Sequence, residues 1–312
     1  MPEHCEHDFD NPFQIEDLAV FDEYHLGRVL ALTRFGPERL ARALWGTPNW
    51  LLERARAALT VEERAAFDQE LERPVSECER ARERHLLLDA LFWELTYWKT
   101  PELYEELVAG ERLHPGIFER LRPWLQHKVV LDAGAGCGRA SFAALEQGAD
   151  LVYALEPSPG LRQLLAKKLA TSPDAASVVL CDGDFAHVPL PGQSIDVAIA
   201  CSAFTAEPAQ GGEPGLVELR RVTRAGGFVV LIWPRREDRA WLLDHGFHFV
   251  AFSQDEMFVS FTSWQSAWRC TRRFYAHNPR VSAYLRHASQ PILPFSVLGC
   301  SAPCDYCWLQ VE

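Results

Sequence analysis

Asp132-Ala-Gly134-Ala-Gly136-Cys-Gly138 stands between the apolar run Val129-Val130-Leu131 and a helix-forming stretch, Ala140–Glu146. Three alternating glycines let the backbone turn sharply and approach a ligand with no Cβ in the way. A strand before and a helix after form the setting in which a glycine loop binds a ligand rather than only turning the chain. A phosphate-cradling loop would continue as Gly-Lys-Ser/Thr, and none follows. A dinucleotide fingerprint read from Gly134 would need a third glycine where Arg139 stands.

The sequence around this loop alternates strands with helices. KVVLDA, LVYALEP, VVLCDGDF, IDVAIACSAF and GGFVVLIWP are strand-like, with GLRQLLAKKLA and LVELRRVT as intervening helices. Such alternation predicts an α/β fold with a parallel sheet covered on both faces. HFVAF and MFVSF lie close together after Trp233 and predict a hairpin at the sheet edge.

Upstream, the pattern changes to short helices. Gly36-Pro37-Glu38 and Thr47-Pro48-Asn49 place proline at a first helical position, where its missing N–H costs nothing. Thr60…Glu63 and Ser76…Glu79 read as capping boxes. Leu40 and Leu44, then Leu51, Leu52, Ala55 and Leu59, then Leu87, Leu91 and Leu95 keep three- and four-residue spacing, so five or six short helices are expected. Pro101 and Pro115 start two more. A length of 312 residues suits about two domains. The expected division is an acidic N-terminal tail (1–13), a helical domain (14–99), an α/β domain (100–290) and a cysteine-containing C-terminal tail (291–312).

Residues 1–120 hold 25 acidic and 14 basic side chains, against 18 and 17 in the remainder. That acidity argues against a nucleic-acid-binding face in the first third. No apolar run approaches the roughly 18–20 residues of a membrane span. MPEHCEHDFDNP is acidic where an export signal would be basic and then apolar. A cytoplasmic chain with reduced thiols is expected.

The form Asp-x-Gly-x-Gly-x-Gly, with motifs following in order, resembles class I S-adenosylmethionine-dependent methyltransferases over residues of about 100–275. The resemblance implies a Rossmann-like sheet preceded by the all-α domain, with S-adenosylmethionine as cofactor and a small-molecule methyl acceptor. Its motif positions are Asp132, Gly134, Gly136 and Gly138. Glu156, ending the second strand, matches the acidic residue that takes the ribose hydroxyls. Asp184-Phe185 matches the segment at the adenine, and Cys201 ends the fourth strand beneath the cofactor. The helical stretch 14–98 resembles the C-terminal domain of the flagellar motor switch protein FliG. With an α/β domain following it, the implied role is packing or binding a protein partner. A rival reading of the whole chain is a cofactor-sensing interaction protein that does not turn over.

The acceptor is less legible. Cys201-Ser-Ala-Phe204-Thr-Ala-Glu207-Pro208 lacks the Asn/Asp-Pro-Pro-aromatic signature that the resemblance would require for amino-nitrogen acceptors, which leaves oxygen, sulfur or carbon. His187 and Glu207 are weak candidates for a catalytic base. The loop Ala209–Gly215 is a candidate lid or a simple connector, and Trp264, Trp268, Phe274 and Tyr275 read as core before aromatic pocket. Cys300-x3-Cys304-x2-Cys307 has the thiolate spacing of an iron–sulfur site, but too few residues follow for the radical-enzyme barrel. A zinc site completed by His4, Cys5 or His7 is the metal reading that remains. Free thiols on a strand and tail are the expectation, with no metal assigned.

Overall fold

The computed structural model describes residues 10–33, 35–253 and 256–312. The chain divides into two compact units. One takes the residues through Leu103 together with Arg269–Pro279; the other takes Tyr104–Trp268 and Arg280–Glu312.

The first unit is helical: α1 (Glu23–Leu32), α2 (Pro37–Leu44), α3 (Asn49–Ala57), α4 (Val61–Leu71), α5 (Glu77–Ala90) and α6 (Phe92–Lys99), preceded by a 3₁₀ turn at Ile15–Val20. Pro37 occupies the first turn of α2 after Gly36, whereas Pro48 is itself the residue capping α3. Thr60 and Glu63 form the full reciprocal cap of α4. At α5 only half of the expected box forms, the Ser76 hydroxyl accepting from the Glu79 N–H. Leu40, Leu44, Leu51, Phe67, Leu87, Leu91 and Phe92 fill the core. The buried carboxylates of Glu70 and Glu83 accept from Arg42 and Arg39, each at 2.8 Å. Phe274 joins this unit, its ring stacked 5.2 Å from Trp93, which accounts for one aromatic residue of the 264–275 stretch as core.

In the second unit, α7 (Pro101–Val108), which begins in the first, and α8 (Pro115–Leu125) lead into a sheet. Its elements are β1 (Val129–Ala133), α9 (Arg139–Glu146), β2 (Leu151–Leu155), α10 (Pro159–Leu169), β3 (Val178–Cys181), β4 (Ile195–Cys201), α11 (Gly212–Val222), β5 (Thr223–Ile232), α12 (Arg239–Asp244) and β6 (His248–Ala251). β7 (Phe258–Ser260), α13 (Trp264–Phe274, its residues from Arg269 belonging to the first unit), α14 (Pro279–His287), β8 (Ile292–Pro294), α15 (Phe295–Leu298) and β9 (Asp305–Gln310) follow. The strand order is β3-β2-β1-β4-β5-β9-β6. β1 to β5 are parallel, while β9 runs antiparallel to both β5 and β6. Alternate strand residues go to opposite faces. Val130, Val152, Ile199 and Val230 pack on one side, and Leu131, Leu155, Ala198 and Leu231 on the other. Both faces are therefore dry, as a parallel sheet requires. This is the Rossmann-like methyltransferase architecture expected from the sequence.

Three local expectations are corrected. The segments of HFVAF and MFVSF do not pair with each other: β6 joins β9, and β7 joins β8 in a separate two-stranded sheet. Residues 291–312 are not a tail outside the fold, because β9 fills the gap between β5 and β6 with Tyr306, Cys307 and Leu309 buried. The stretch Ala209–Gly215 is not an irregular loop: a 3₁₀ turn at Pro208–Gln210 runs into α11 at Gly212.

Candidate active site

β1 and β4 are neighbours from which the chain departs in opposite directions across the sheet, so their carboxyl ends border the crevice where ligands of open α/β sheets bind. The glycine loop leaves β1 there. Gly134 and Ala135 both donate to the Leu155 carbonyl at 2.9 Å, tying the loop to β2. Gly138 caps α9 at φ +89°, and a Cβ on it would lie 2.6 Å from Leu165 Cδ1. Gly136, at φ +55°, would place a Cβ against nothing within 4 Å. Lys168 on α10 clamps the loop, donating to the Cys137 carbonyl and to Glu105, both at 2.7 Å.

Glu156 follows β2 and is buried. One carboxylate oxygen accepts the Gly136 N–H at 2.9 Å and the other the Ser158 N–H at 2.8 Å. Burial pushes its pKa up to about 7, against the pull of those two N–H groups. An ionised carboxylate has about four lone-pair sites, so each oxygen keeps a second acceptor direction. Asp132, at the end of β1, is 1% exposed. Its Oδ2 accepts the Ser141 hydroxyl at 2.6 Å, while Oδ1 is buried with no hydrogen-bond partner. Burial raises its pKa to about 6, the Ser141 hydroxyl opposing.

A cavity of about 540 Å³ opens beside the loop, lined by Asp132, Gly134, Gly136 and Cys201 from the predicted set; Glu156 and Gly138 are not in its lining. Tyr104, Glu111 and Arg139 line it as well. Arg139 Nη1 lies 3.4 Å from Glu111 Oε2 and 3.3 Å from the Glu111 carbonyl. Burial opposes the guanidinium charge, but Cys201, Glu111 and Tyr104 more than offset it and hold the group protonated. Burial raises the pKa of Glu111 and of the Cys201 thiol, with Arg139 opposing in each case.

The remaining predicted residues do not line this cavity. Asp184 Oδ1 accepts from the Ala186 and His187 N–H groups at 2.7 and 3.0 Å, closing its own turn. Phe185 is core beneath the loop, edge-to-face on Phe204 at 5.2 Å. The His187 ring is 74% exposed, 3.9 Å from Asp184. Glu207 is exposed at a turn whose N–H is held by Thr205. Cys307 is buried between β5 and β6, Cys304 is half-buried and Cys300 exposed. Among the described residues, no three His, Cys, Asp or Glu side chains are gathered as for a metal ion. His4, Cys5 and His7 lie outside the described residues.

Sequence reasoning missed Tyr104, Glu111 and Arg139. For Arg139 a signal existed: a cation at the first position of α9 opposes the positive end of the helix dipole and asks for an anion nearby. Glu111, in a short connection after α7, carried none.

These features together define an α/β unit that presents a glycine loop and buried carboxylates at the sheet's switch point. Residues 130–227 match the family model of a methyltransferase domain. An uncharacterized methyltransferase of Mycobacterium tuberculosis is 31% identical over 144 residues, covering 42% of this chain and 55% of its own length. One of Geobacillus thermodenitrificans is 30% identical over 132 residues, covering 41% and 55%. The chain thus spans about half the length of the curated relatives it matches. Among solved structures, an S-adenosylmethionine-dependent methyltransferase from Mesorhizobium loti is 22% identical with a TM-score of 0.32, covering 37% of this chain and 50% of that one.

Proposed function

We propose that the second unit binds S-adenosylmethionine and transfers its methyl group to a small-molecule acceptor at oxygen, sulfur or carbon. The observation that carries this reading is Glu156, bonded to the cavity-lining Gly136 and keeping acceptor directions to spare for a ribose diol. The donor set fits the cofactor further. The Cβ-free side of Gly136 leaves room for close approach, and the unpartnered Asp132 Oδ1 offers an acceptor to a cationic group. Asp184 and Phe185 serve the adenine end in this reading, and Gly138 and Cys201 shape the loop and floor. The bound cofactor supplies an activated methyl on a sulfonium. What the chain supplies is alignment of acceptor and methyl and exclusion of water. His187 or Glu207 takes a proton only if the acceptor carries one.

Among the described residues no helix is long and apolar enough to cross a membrane, and a cytoplasmic location goes with the proposal. The first unit, whose likeness to FliG rests on leucine and alanine spacing, serves as a packing or protein-interaction module.

Calorimetric titration with S-adenosylmethionine and S-adenosylhomocysteine tests the reading. Micromolar binding is expected, with Glu156→Gln losing about 10–100-fold by removal of charge-assisted hydrogen bonds. A folded wild-type chain that binds neither ligand overturns it.

A further inference from the structure

Arg162 is on the first turn of α10, its backbone N–H bonded to the Ser158 carbonyl at 3.0 Å. Its side chain turns back over the end of β2. Nη1 donates to the Glu156 carbonyl at 2.6 Å and to the Pro157 carbonyl at 2.8 Å. Both carbonyls lie past the paired register of β2, which ends at Leu155. The same guanidinium takes Asp182 with both ends of its fork, Nη1 to Oδ1 at 2.7 Å and Nη2 to Oδ2 at 2.8 Å. Asp182 directly follows β3 and stands two residues before Asp184. Between them, Gly183 lies so close to β2 that a Cβ would meet Leu155 Cδ1 at 2.8 Å and the His187 carbonyl oxygen at 2.6 Å. One side chain therefore joins the residue proposed for the ribose to the turn proposed for the adenine.

The competing reading is a surface ion pair, and exposed pairs fix little. Asp182 is 66% exposed, but Arg162 is only 19% exposed and spends two of its contacts on backbone. A fork holding a carboxylate on one side and two carbonyls on the other sets a distance, which a lysine ammonium, a point charge, does not. The arrangement is also electrostatic. Arg162 favours the ionised form of Glu156, and Asp132 on β1 opposes it. Tyr104 and Cys137, which also feel Glu156, are kept protonated by burial. Resting on the cofactor reading above, we infer that Arg162 is the positioning residue of the nucleoside site, acting through Glu156 by fixing its backbone against the Asp182 turn.

The test is calorimetric titration of the whole chain with S-adenosylhomocysteine between pH 6 and pH 9. Arg162→Lys keeps the charge and loses the fork; at pH 8 it is expected to bind about 5–20-fold more weakly, with an unchanged pH midpoint. Arg162→Met is expected to lose at least about tenfold and to move the midpoint up by about half a pH unit or more. In a Glu156→Gln background, Arg162→Lys is expected to cost less than about twofold, because the acceptor it positions is already impaired. If circular dichroism shows the Arg162 variants unfolded, Asp182→Asn decides. It is expected to lose about 3–10-fold alone and less than about twofold with Glu156→Gln. Equal losses in both backgrounds, wild-type affinity in Arg162→Lys, or an unmoved midpoint in Arg162→Met overturns the positioning role. These results leave the cofactor reading standing, since the wild-type chain still binds S-adenosylhomocysteine. A folded wild-type chain that does not bind it overturns both.

Discussion

Glu156 carries two loads at once: it fixes the Gly136 and Ser158 amides, and it is the proposed ribose acceptor. Its pKa near 7 and that of Asp132 near 6, against reference values of 4.5 and 3.8, set a testable pH dependence. Both carboxylates hold their proton more tightly folded than unfolded. The folded chain therefore binds more protons between about pH 4 and 7, and stability falls as pH rises through that window. Without ligand, the melting temperature of the second unit is expected to drop by roughly 8–16 °C between pH 5 and pH 8, the equivalent of about 4 kcal/mol. A rise across that interval would contradict the burial of these groups. Cofactor affinity should move the opposite way, strengthening toward pH 8, because a diol and an ammonium both favour the ionised acceptors. At this scale the sequence was legible for place: the motif put Asp132 at the end of β1 and Glu156 just after β2, where the structure has them. It was silent for Glu111, which reaches the cavity from a connection that only the fold brings to the glycine loop.

Among elements, the glycine loop depends on Gly138 more sharply than on Gly136. Gly138→Ala faces a left-handed backbone, costing about 1–2 kcal/mol, and a contact with Leu165 that overpacks by about 1–3 kcal/mol more. A loss of about 2–4 kcal/mol in urea unfolding of the second unit is expected, together with weaker cofactor binding. A change below about 0.5 kcal/mol would show that the loop relaxes freely. Helix starts were readable because capping is local: Thr60 with Glu63 needs nothing beyond four residues. Strand partners were not. HFVAF and MFVSF are close in sequence and suitable for a hairpin, yet partner choice depends on which strand offers buried apolar residues at the right place. DYCWLQ does so from more than fifty residues away.

For the whole molecule, the inserted strand β9 is the point of greatest leverage. Tyr306 is 1% exposed among the largest fully buried side chains, and Tyr306→Ala is expected to cost about 3–5 kcal/mol. Retention of a wild-type melting temperature would contradict its place in the core. The division into units also crosses the chain: Arg269–Pro279 belongs with the N-terminal helices, although most of the sheet precedes it. This has a consequence for synthesis. Domains generally mature one after another as they leave the ribosome, the N-terminal one first. Here the helical unit lacks residues until position 279 has emerged, and β6 waits for its neighbour until position 310, with the edge of β5 unpaired meanwhile. The two units are finished almost together, late in translation, even though the first begins well ahead of the second.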